Sequence, residues 1–97
     1  MAYLTITRIS GEPDELLEGY RRSSDVMPAV GRDHGLILHA AAKTAEGLMV
    51  VNLWPSKHGS ESAAADPRRQ GEVKRNGLDP SRFSSEHHEL EAWEVLT

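Results

Sequence analysis

Leu48-Met49-Val50-Val51-Asn52-Leu53-Trp54 is the segment that most limits what this chain can fold into. It is rich in β-branched and aromatic residues, and almost every position is apolar, the pattern of a strand shielded from water on both faces. Leu36 to Lys43, Leu-Ile-Leu-His-Ala-Ala-Ala-Lys, is apolar almost throughout as well. Only Thr44-Ala45-Glu46-Gly47 separates the two. So short a link between two strands predicts an antiparallel hairpin. A hairpin with two apolar faces needs cover on both.

The remaining elements say what can supply that cover. Residues 2–9 read as a first strand, broken by Ser10-Gly11-Glu12. Pro13 suits the first position of a helix, and Asp14 and Glu15 follow where the helix dipole favours negative charge. Leu16, Leu17, Tyr20, Ser24 and Met27 form a stripe at helical spacing. Pro28 is expected to end or kink this helix, because its ring clashes with the carbonyl of Ser24. After the hairpin, Pro55 stops the strand and Ser56 is an N-cap for a weak helix over 57–65. Asp66-Pro67 begins a second helical piece that Asn76-Gly77 ends. Residues 78–85 read as a loop, and 86–96 as a last strand.

The order is β-α-β-β-α-β. Right-handed crossovers place both helical regions on one face of a four-stranded antiparallel sheet, a ferredoxin-like α+β fold. At 97 residues the chain makes one domain, 1–97, and has nothing left for the other face. A second copy of the same sheet would hide it, so a homodimer is expected.

Composition removes several functions. Eleven basic residues against fifteen acidic ones give a net charge of −4, which argues against general binding to nucleic acid. Arg68, Arg69, Lys74 and Arg75 are locally basic, but Glu72 interrupts them and no aromatic residues are interleaved, so a solvated helix face is expected. There is no cysteine, which excludes disulfides and thiolate chemistry. No apolar run is long enough to cross a bilayer. Met1-Ala2-Tyr3-Leu4-Thr5 lacks a basic leader region, which points to a cytoplasmic protein. His87 and His88 point to opposite faces of a strand, no spacing supplies a metal-ligand set, and no metal is expected. His34 reads as a solvated loop residue.

Val50-Val51-Asn52-Leu53-Trp54-Pro55-Ser56 resembles a third strand ending in Trp-x-Ser before the second helix. Gly35-Leu36-Ile37-Leu38-His39 resembles a Gly-apolar opening of the second strand. Together with the element order, these resemble the dimeric α+β barrel superfamily, and within it the antibiotic-biosynthesis-monooxygenase-like group. The resemblance implies two sheets forming a barrel between subunits, with a pocket in each subunit between sheet and helices. It implies an activity among cofactor-independent oxygenases of polycyclic phenols, haem-degrading enzymes, isomerases and relatives; fold does not choose among these. Haem degradation is disfavoured. That branch places a histidine on the second helix, where Ala63-Ala64-Ala65 stand here, and His58 lies too early.

The hairpin allows a sharper expectation. If its turn is centred between Ala45 and Glu46, His39 lies opposite Asn52 and Ile37 opposite Trp54. His39, Asn52 and Trp54 then share one face; an odd-length turn would separate them. As a small-molecule pocket, His39 moves a proton, Asn52 donates to a developing oxyanion and Trp54 offers a flat surface to an aromatic ligand. As ordinary packing, the His–Asn pair satisfies itself and Trp54 fills the core. Tyr3, Tyr20 and Trp93 fit a cavity wall or a core, and Tyr20 joins Trp54 as a substrate-binding candidate. The expected function is a cofactor-independent monooxygenase-like enzyme acting on a small aromatic or polyketide-like molecule, with His39 and Asn52 catalytic. The alternative is a non-catalytic homodimer that binds a small hydrophobic molecule or serves as an accessory protein.

Overall fold

A computed structural model describes residues 1–94 and Leu96. Strand β1 (Tyr3–Ser10) leads into helices α1 (Pro13–Arg22) and α2 (Met27–Asp33); the hairpin β2 (Leu38–Thr44) and β3 (Gly47–Trp54) follows. Helices α3 (Lys57–Ala64) and α4 (Pro67–Arg75) and a 3-10 turn at Pro80–Arg82 lead to β4 (Phe83–Glu89). The strands form one antiparallel sheet in the order β2-β3-β1-β4. This is the ferredoxin-like arrangement expected from the element order.

The most apolar strand, β3, lies inside the sheet, paired on both edges. At its start Gly47 faces Ser10, and a Cβ there would stand 1.9 Å from the Ile9 carbonyl oxygen. Only glycine lets the turn enter the sheet so close to β1. Alternation then sends Leu48, Val50, Asn52 and Trp54 toward the helices and Met49, Val51 and Leu53 to the opposite face.

The helix side carries two apolar clusters. Tyr3 and Trp54 pack with Val30 of α2 and Ala63 of α3. Ile9 and Leu48 pack with Leu16 of α1, flanked by Tyr20, Val50, Leu78 and Phe83. Helix α4 contributes no buried residue.

Several boundaries differ from the sequence reading. Pro28 does not end the first helix but sits in the first turn of α2. The break falls earlier, at residues 23–26, where Ser23 and Ser24 donate to Tyr20 and Arg21 in tight turns. A proline cannot donate to a carbonyl four residues back, so the chain restarts a helix in which that N–H is not needed. Asp66 caps α4 as expected and accepts from the Arg68 N–H at 2.9 Å.

The last strand is shifted, running over 83–89 instead of 86–96. It pairs with β1 from Ile9 to Tyr3, and a final bond joins Leu90 to Ala2. Tyr3 is the first residue of β1, and residues 90–94 do not continue the strand past that bond. Val95 of that expected strand lies outside the described residues. Strand β2, read as covered on both faces, is the sheet edge; none of its residues is buried and Leu38 is 49% exposed.

Leu48, 2% exposed, anchors the cluster under α1. Leu48→Ala is expected to cost about 2–5 kcal/mol by urea unfolding. A loss below about 1 kcal/mol would show that the site collapses around the deletion.

Candidate functional site

A cavity of about 370 Å³ lies between the sheet and helices α1 and α4. Its existence follows from α4. The residues α4 and its C-cap turn toward this space are Arg69, Glu72, Val73 and Asn76, at helical spacing, and only one of them is apolar. The layer that would fill the core is therefore missing over the middle of the sheet. Ile9, Leu16, Leu48 and Phe83 supply apolar wall, while His39 and Asn52 face the cavity from β2 and β3 and Tyr20 from α1.

The hairpin register brings His39 opposite Asn52, and the His39 Nδ1–H donates to Asn52 Oδ1 at 2.5 Å. That contact fixes the tautomer: with Nδ1 protonated, Nε2 keeps its lone pair. Tyr20, one helix turn beyond the buried Leu16, donates its hydroxyl to Nε2 and stacks its ring on the imidazole at 5.4 Å and 18°. The result is a line Tyr20–His39–Asn52 with one basic nitrogen at its centre. Burial pushes the Tyr20 phenol above its ordinary value, so it remains a neutral donor at pH 7. Asn52 Nδ2 has no partner among the described residues.

Trp54 is placed elsewhere. Although it shares the sheet face of Asn52, it is buried against Tyr3, Val30 and Ala63, donates Nε1–H to Thr5 Oγ1 at 3.3 Å, and does not line the cavity. Two residues of strand, about 7 Å, separate it from Asn52, and α2 and α3 close over that end. Tyr3 stacks on His87 at 5.9 Å, and Trp93 is 45% exposed, so neither lines the cavity.

The α4 wall was missed by the sequence reading, which treated its charges as a solvated face. Arg68 and Arg75 do form ion pairs, with Asp66 and Asp33 and with Glu72. Arg69 and Glu72 instead look into the cavity. Arg75, then the Ser23 hydroxyl, holds the Glu72 carboxyl below its ordinary value. Asn76 donates to the same Ser23 at 3.0 Å, tying α4 to α1. The one available signal was spacing: residues 69, 72, 73 and 76 form a helical stripe even though its chemistry is polar. His34, read as solvated, meets Asp66 at 3.0 Å.

No group of three His, Asp or Glu side chains converges as a metal site among the described residues. No helix there is long and apolar enough to cross a membrane.

Comparison with solved structures places the architecture. The chain superposes on SnoaB, a cofactor-independent oxygenase from Streptomyces nogalater, with a TM-score of 0.59 at 16% identity, covering 98% of this chain and 94% of that one. A dimeric ferredoxin-like protein from Thermobifida fusca gives 0.71 at 13% identity, covering 93% and 92%. A structure described as an antibiotic biosynthesis monooxygenase gives 0.68 at 7% identity, covering 95% and 100%. The fold is the ferredoxin-like one that these structures share. In sequence, no protein-family model and no curated protein matches the chain. In this fold the cavity lies between the sheet and the helices.

The tautomer of His39 is directly measurable. Nitrogen-15 NMR is expected to show a protonated Nδ1 and an unprotonated Nε2, with Asn52→Ala shifting the ring toward the other tautomer. A wild-type ring protonated on Nε2 would contradict the hydrogen-bond line.

Proposed function

We propose that this chain is a cofactor-independent monooxygenase-like enzyme that takes a small aromatic, phenolic substrate into the cavity between sheet and helices. The observation that carries the reading is the Tyr20–His39–Asn52 line on the wall of that cavity. Its chemistry suits proton removal. Nε2 is the basic nitrogen, and the substrate hydroxyl or activated C–H takes the place of the Tyr20 hydroxyl beside it. When Nε2 accepts the proton, the Nδ1–H stays on the Asn52 oxygen and steadies the imidazolium. The spare Asn52 Nδ2 is available to the substrate oxyanion.

The deprotonated, electron-rich ring then reduces oxygen. For a ring methylene, the carbanion carbon forms a C–O bond with O2, giving a peroxide anion. The proton held by His39 returns to the distal peroxide oxygen; loss of the second C–H proton and cleavage of O–O release water and leave a carbonyl. The sum is CH2 plus O2 giving C=O plus H2O, with substrate oxidised by four electrons and oxygen reduced by four. Tyr20 positions the ring by stacking, the role first given to Trp54.

Oxygen uptake with an anthrone-type phenol tests the reading. Wild-type protein is expected to consume one O2 per substrate, and His39→Ala to lose about 10²–10⁴-fold in kcat/KM. Wild-type protein that binds the phenol with no oxygen uptake would leave the second reading, a non-catalytic binding protein; His39→Ala at the wild-type rate would remove His39 from the chemistry. The observation favouring that second reading is that Tyr20 already satisfies Nε2.

The homodimer belongs to the same proposal. On the sheet face away from the helices, Leu4 and Leu38 flank Leu53, and Ile6 and Ala40 flank Val51, in one apolar band. Among the described residues no helix packs there, and a second copy of the same band is its natural cover. Light scattering at micromolar concentration should give twice the chain mass, and Val51→Asp the single mass. A wild-type monomer would overturn the pairing.

A further inference from the structure

Arg69 stands apart from every other cation of the chain. Arg8, Arg22, Lys43, Lys57, Arg68 and Arg75 all have carboxylate partners. Arg82 donates to the Ser10 carbonyl. Arg21, Arg32 and Lys74 are exposed and solvated. Arg69 is half-buried, lines the cavity, and has no hydrogen-bond or ion-pair partner among the described residues.

Its nearest acid along the helix cannot serve it. Glu72 is engaged by Arg75 and by the Ser23 hydroxyl, both at 2.8 Å. Of the other carboxylates on the cavity wall, Glu18 pairs with Arg22 at 3.5 Å, and Glu15 is exposed and makes no ion pair with Arg69. Withdrawing a guanidinium from water without a partner is costly, and proteins leave such groups where a ligand completes them. The burial is deep enough to lower the Arg69 pKa from its ordinary value. The group stays fully charged at pH 7 all the same.

We infer that Arg69 is the binding group for a carboxylate on the cavity ligand, so that the substrate class is a phenol that also carries a carboxylate. The guanidinium fork matches a carboxylate through two parallel N–H···O bonds, and its single charge balances a single anion. A phosphate dianion would be left with excess charge beside Glu15 and Glu72. The inference rests on the cavity being the substrate site, and it fixes orientation. The carboxylate lies against α4, and the reacting ring reaches the Tyr20–His39–Asn52 line on the opposite wall.

Calorimetric titration of the full chain with 1-hydroxy-2-naphthoate and with 1-naphthol tests it. In wild-type protein the carboxylate is expected to bind roughly tenfold or more tightly than the naphthol, the span of a charge-assisted bidentate contact. Arg69→Gln should abolish that preference while changing naphthol affinity less than about twofold, and Arg69→Lys should keep part of it. Because Arg69 has no partner to lose, its thermal midpoint should not fall on substitution, which guards against a misfolded variant. Equal affinities in wild-type protein, no detectable hydroxynaphthoate binding, or a preference that survives Arg69→Gln would overturn the assignment. Binding is read without turnover, so a carboxylate preference with no oxygen uptake would remove the oxygenase reading alone and leave the Arg69 site standing.

Discussion

The pairing of β2 with β3 is the contact on which the rest of this protein depends. One residue of slip would turn His39, Asn52 and the other residues of the strand to opposite faces. The observed register puts His39 across from Asn52 on the helix side and sends Met49, Val51 and Leu53 to the other. It thereby settles the core under α1, the polar pair on the cavity wall and the apolar band left on the far face of the sheet. Gly47 makes it possible, by letting the hairpin turn enter the sheet against the Ile9 carbonyl.

The cavity is a consequence of helix chemistry laid over that sheet. Leu16, Val30 and Ala63 from α1, α2 and α3 fill the space beneath them. Helix α4 brings a polar stripe instead, so a volume of about 370 Å³ stays open. The polar groups around it are not scattered. One wall carries a hydrogen-bonded line centred on a basic nitrogen, and the other a guanidinium with no partner among the described residues.

Trp54 illustrates how sequence spacing misleads about a site. It shares a face with Asn52, as alternation requires, but lies two residues nearer the end where α2 and α3 pack. An aromatic side chain there is core. Tyr20, in contrast, was one of several aromatic candidates on sequence grounds. It gained its place because α1 ends at Arg22, and the last turn of α1 carries it over the edge strand to His39.

The fold class, the hairpin register and the neighbourhood of His39 and Asn52 were determined by the sequence itself, because strand alternation and a short even turn are local properties. So was the surplus of apolar surface on the sheet. The tertiary structure alone decided the helix break before Pro28, the extent of β4, the burial of Trp54 and the isolation of Arg69. Each of those depends on a partner far along the chain. β4 ends opposite Tyr3, the first residue of β1, and Arg69 has no partner among the described residues, with Glu72 held by Ser23 and Arg75.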